Sequence, residues 1–135
     1  MIPEQTAELV RLRLEQAQST LNDAVVLAEG GGTPKSIINR AYYAMFYAVL
    51  ALLQSIGKVA GKHTGAIGLF DTEFVLKGVF SRELSRDLHK AFDSRQVSDY
   101  QPVRPTTSEE AKEYISKARR FVVEVETYLK AHPPA

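Results

Sequence analysis

Arg95, Asp99 and Tyr100 close the stretch HKAFDSRQVSDYQPVRP, residues 89 to 105. Their types allow two chemistries. At i and i+4, Arg95 and Asp99 can pair on a helix surface, in the order the helix dipole disfavours, for only about 0.3–0.5 kcal/mol. Left unpaired, the guanidinium can hold a phosphate through two parallel N–H bonds.

Three further clusters carry reactive groups. In NRAYYAMFY, residues 39 to 47, Arg40, Tyr43 and Tyr47 fall at i, i+3 and i+7 on one helix face. There a guanidinium can lie against phenol rings at the mouth of a pocket, or serve as a core Arg paired with a carboxylate. In GKHTG, residues 61 to 65, Lys62 and His63 precede a helix start whose amides suit an anion. The bland alternative is a loop capped by Thr64. The glycine spacing is not that of a Walker A loop, and the strand such a loop follows is missing. Finally, Arg82 and His89 share a helix face at i and i+7, although any Arg-rich chain offers such coincidences.

The three histidines, 63, 89 and 132, lack metal-ligand spacing, and the absence of Cys removes thiolate sites. No metal and no cofactor is expected.

The elements that must position these groups read as helices almost throughout, with no run alternating at period two. A first helix carries Leu9, Leu12, Leu14, Ala17, Leu21, Ala24, Val25 and Ala28, and stops at Gly30-Gly31-Gly32. Thr33-Pro34 reads as an N-cap followed by Pro at N1. The second helix, about 35 to 56, is apolar on nearly all sides, the mark of a helix in the middle of a bundle. A third takes Ile67, Phe70, Phe74 and Val75 inward and breaks near Gly78.

Ser81 caps a fourth, with Leu84, Leu88, Ala91 and Phe92 inward, and QPVRPTT cannot continue it. Thr107 and Glu110 form a capping-box pattern at the start of the last helix. The expected fold is all-α, an antiparallel up-and-down bundle of four to five helices. It occupies 1–135 as one domain, with a core from about 4 to 130.

Net charge is +1, so no global field drives binding to nucleic acid or membrane, and any basic site must be local. An apolar share of 44% with 24% charged residues is that of a globular chain. The longest uncharged apolar run, Ala41 to Leu53, falls short of the ~20 residues that span a bilayer. With no signal-peptide pattern, a cytoplasmic protein without membrane association is expected.

AYYAMFYAVLALL, then KHTGAIGLF, FVLKG and AFDSRQVSDY, in this order and spacing, resemble the HEPN domain, specifically its short single-domain prokaryotic branch. The resemblance implies a bundle that is commonly a homodimer. It also implies a role beside a minimal nucleotidyltransferase, as its substrate-binding subunit or as the toxin of a toxin–antitoxin pair. Active members of the family are metal-independent ribonucleases, using an Arg, four to six intervening residues and a His at the dimer interface.

Arg95 occupies the arginine position. Tyr100 stands where the shorter spacing would place His, with Asp99 just before it. Neither replaces imidazole, because tyrosine titrates near pH 10 and aspartate near 3.9, against about 6.5 for histidine. Losing a positioned acid–base group removes about two to four decades of rate.

The expected function is therefore a nucleotide- or RNA-binding module using Arg95, helped by Lys62, His63, Arg40 and Tyr43. One alternative is a ribonuclease toxin drawing proton transfer from His63, His89 or Tyr100. Another is a structural helical adaptor, in which Arg95 pairs with Asp93 or Asp99 away from any pocket.

Overall fold

The computed structural model describes residues 3–100 and 107–134, with side chains from 4 to 95 and from 107 to 134. The expectations for the side chains of Asp99 and Tyr100, and for the proline-containing break, lie outside the described residues. Within them the chain is an all-α antiparallel bundle without a strand: α1 Pro3–Glu29, α2 Pro34–Ser55, α3 His63–Phe70, α4 Arg82–Tyr100 and α5 Ser108–Ala131.

Local chemistry sets the element ends. Gly31, at φ +78°, makes the left-handed turn after α1 that an L side chain resists. Thr33 accepts a hydrogen bond from the Ser36 amide with Pro34 at the start of α2, as the Thr-Pro pair predicts. Ser81 Oγ accepts from the Leu84 amide at 3.1 Å, and Thr107 Oγ1 from the Glu110 amide at 3.1 Å.

Two expectations need correction. Thr64 is not a cap: α3 begins at His63, so Thr64 already lies inside it, with Lys62 in the N-cap position and no side chain capping it. The apolar set of α1 holds with one exception: Ala17 and Ala24 are buried and Leu14, Leu21, Val25 and Ala28 pack against the core, while Leu12 is 45% exposed and Val10 is buried.

The core explains the composition of α2. This helix packs against α1, α3, α4 and α5, so its apolar surface is covered from several directions. Tyr42, Met45, Val49, Leu52 and Leu53 are buried along it. By length and hydropathy the whole of α2 is long and apolar enough to cross a membrane, which the shorter run Ala41 to Leu53 did not suggest, but 67% of that window is buried inside the bundle. Such burial is what a central bundle helix requires.

Within the same core, the rings of Phe70, Phe74, Phe80 and Phe121 pack on one another. Between Phe70 and α4 the chain makes a π-helical turn, Asp71–Val75. Asp71 there accepts hydrogen bonds from Ser85 Oγ and from His89, both at 2.6 Å, and so ties the turn to α4.

Candidate phosphate-binding site

The site is assembled by α2, which meets α3 on one side and α4 on another. Tyr42 and Tyr43, adjacent on α2, have rings 5.3 Å apart and at 70° to each other. Tyr42 is fully buried, so its hydroxyl needs an internal partner. That partner is Nδ1 of His63, at 2.6 Å, on the first residue of α3. The imidazole lies flat against Phe46, 4.1 Å between centroids and 8° between planes, with Phe92 of α4 at 6.3 Å.

Arg95, one turn beyond Phe92 along α4, places its guanidinium carbon 5.5 Å from the centre of the Tyr42 ring and 5.2 Å from that of Tyr43. It forms no ion pair with a described carboxylate, Asp93 included. Its Nε is buried without a hydrogen-bond partner. A buried unpaired donor costs about 1–3 kcal/mol, and more when charged, whereas a cation–π contact returns about 0.5–2 kcal/mol. The two ring contacts together are of the same order as that cost, but they leave the donor unsatisfied. An anion accepting from the guanidinium would satisfy it.

Protonation states follow from burial and from this cation. Burial pushes the Tyr42 phenol far above its ordinary range, so the group stays protonated. Burial, and then the positive charge of Arg95, hold His63 below its usual value. A neutral imidazole beside a phenol that keeps its proton is best satisfied when the phenol donates to Nδ1, which leaves the ring proton on Nε2. His63 thus offers a neutral N–H on the edge away from Tyr42. The start of α3 adds the positive end of a helix dipole at the same residue.

The other expected residues divide. Arg40, on α2, lies 5.2 Å from the centre of the Tyr43 ring and donates from Nη2 to Asn39 Oδ1 at 3.0 Å. It has no carboxylate partner among the described residues, so the paired core Arg is not what forms. Lys62 is exposed at the N-cap and caps nothing. Arg82 and His89 do not converge on a ligand, because His89 turns to Asp71. Sequence reasoning missed Tyr42, Phe46 and Phe92 as site residues. Only the run of aromatics in YYAMFY signalled the first two.

A concavity of about 550 Å³ at the start of α1 is lined by Glu4, Gln5, Glu8 and Leu9. Its carboxylates make it a poor home for a polyanion.

A helical bundle that sets an Arg and a His against one aromatic wall defines a class: all-α proteins with a cationic candidate site. Among the described residues no cluster of metal-ligand side chains forms. The match that gives the class a family is to the HEPN domain, over residues 10–128. The chain belongs to the HEPN family. It is 34% identical over 115 residues to the "UPF0332 protein" of Thermotoga maritima, covering 85% of this chain and 86% of that one. It is 32% identical over 123 residues to "Putative toxin MJ0605" of Methanocaldococcus jannaschii, covering 91% and 90%. A "UPF0332 protein" of Archaeoglobus fulgidus is 31% identical over 113 residues, covering 84% and 89%.

Proposed function

We propose that the protein is a phosphate-binding HEPN module, with RNA or a nucleotide as ligand and Arg95 as the central contact. The observation that carries this reading is the Arg95 guanidinium, set against Tyr42 and Tyr43 with Nε buried and unpartnered. His63 supplies a neutral donor beside it. On this reading the module works as a homodimer and beside a minimal nucleotidyltransferase, two expectations that rest on the family resemblance. Fluorescence anisotropy with labelled single-stranded RNA and with a nucleotide tests the ligand. Arg95→Ala should weaken binding at least about tenfold, the worth of one charge-assisted contact. Unchanged affinity removes the reading.

A second reading, a metal-independent ribonuclease, is favoured by His63 standing against the same aromatic wall as Arg95, which provides an imidazole that the sequence order does not align. The name borne by the M. jannaschii relative supports a toxin role. Incubation with single-stranded and transfer RNA in EDTA should then give cleavage that is lost in both Arg95→Ala and His63→Ala. Cleavage equal to that of these variants leaves binding as the function.

A further inference from the structure

Arg40 and Arg95 reach the Tyr43 ring from different helices, and each guanidinium carbon stands 5.2 Å from its centre. The two charges therefore lie no farther apart than twice that distance. Both side chains are half-buried, as is Tyr43. Arg40 has a neutral partner, Asn39 Oδ1, and Arg95 has a buried Nε with no partner. Neither is neutralised by a described carboxylate. Two like charges gathered at one ring repel each other, and water screens them only in part at this depth. An arrangement of this kind relaxes when two negative charges arrive, one for each guanidinium.

We infer that the site takes two successive phosphate groups, the first on Arg95 and the second on Arg40, with the Tyr43 ring as the spacer between them. This deepens the phosphate-binding reading and rests on it. The chemistry has two sources, adjacent phosphates of a nucleoside diphosphate and neighbouring phosphodiesters of an RNA strand. Planar guanidinium groups suit either, because each presents paired N–H donors to a phosphoryl edge. Tyr43 is a positioning residue: its ring keeps both cations in place without consuming a donor.

Calorimetry on the full chain separates the sources and tests the inference. The probes are AMP against ADP, and the dinucleotide UpU, with one phosphate, against the trinucleotide UpUpU, with two. The wild-type chain should bind the two-phosphate member of at least one pair about tenfold more tightly. A gain confined to ADP identifies the nucleotide source, and a gain confined to UpUpU identifies the strand.

Arg40→Gln, which keeps most of the side-chain stem, should collapse that ratio to near unity, the loss falling mainly on the two-phosphate probe. Arg40→Lys should restore part of it as a point charge. Arg95→Gln should weaken both members of the pair. Circular dichroism melts establish that each variant is folded. If Arg40→Gln lowers both members equally, or leaves the ratio intact, the two-phosphate assignment is wrong while phosphate binding stands. If no probe binds the wild-type chain, both fail.

Discussion

The hydroxyl of Tyr42 meets Nδ1 of His63 at 2.6 Å, across 21 residues of sequence and between two helices. The bond ties the start of α3 to the most buried side of α2. It also sets which imidazole nitrogen is left to face a ligand.

Removing that hydroxyl should therefore change the histidine more than the fold. Tyr42→Phe deletes a bond worth about 0.5–1.5 kcal/mol and leaves the ring packing in place. The ¹⁵N resonances of the His63 ring should move from a single Nε2–H tautomer toward a mixture. A tautomer unchanged from the wild-type chain would mean that Tyr42 does not set it.

Stability should depend on pH through His63. Its folded value lies below the reference 6.5, so the unfolded chain takes up the proton first as pH falls. The contribution is fully present above about pH 6.5 and is lost as pH drops from there through the lower folded value. Urea melts from pH 7.5 to 5 should show midpoints falling in that window, and His63→Gln should flatten the fall. An equally steep fall in the variant would assign it to other groups.

Arg95 should destabilise the ligand-free chain. Replacing it by Met, which keeps an apolar stem against Tyr42 and Tyr43, removes a buried donor that lacks a partner. The variant should unfold at a modestly higher temperature, the gain being the ~1–3 kcal/mol cost of such a group less what the two ring contacts return. Binding should be lost at the same time. A lower melting temperature would show that the guanidinium contacts outweigh its desolvation.

The capping of α5 offers a control at a residue that does not touch the site. Thr107→Ala removes the acceptor for the Glu110 amide and should cost about 1 kcal/mol in chemical melts. Nucleotide and RNA affinity should be unchanged. Lost affinity in a folded variant would mean that the entry to α5 shapes the site.

Much of the fold was legible because helix signals are local. Thr33-Pro34, Ser81 and Thr107 each announced a helix start, and the unbroken apolar character of α2 announced its central place. The rest of α1 was legible too, and only at Leu12 and Val10, two positions apart, did packing decide which one faces inward. The π-helical turn at Asp71 left no local signal.

For the site, Arg95 and the GKHTG segment were readable as anion-binding candidates, each from its own surroundings. Their meeting was not, because it depends on α2 packing against both α3 and α4. Tyr42 looked like a core residue and is one, yet its hydroxyl also does the work of a positioning group. Local sequence does not reveal that double use.

The π-helical turn Asp71–Val75 has a consequence for how this chain can change in length. Such a turn closes its hydrogen bonds one residue later than an α-helix does, so it holds a single surplus residue at the C-terminal end of α3, just before the turn at Gly78. A deletion there can be absorbed by reverting to ordinary helix, whereas the same deletion inside α2 would rotate everything beyond it by about 100°. The reversion would still swing Asp71 away from Ser85 and His89 and free the early part of α4. The turn is thus a place where the molecule can lose a residue and keep its core, at the cost of the strut that steadies the helix bearing Arg95.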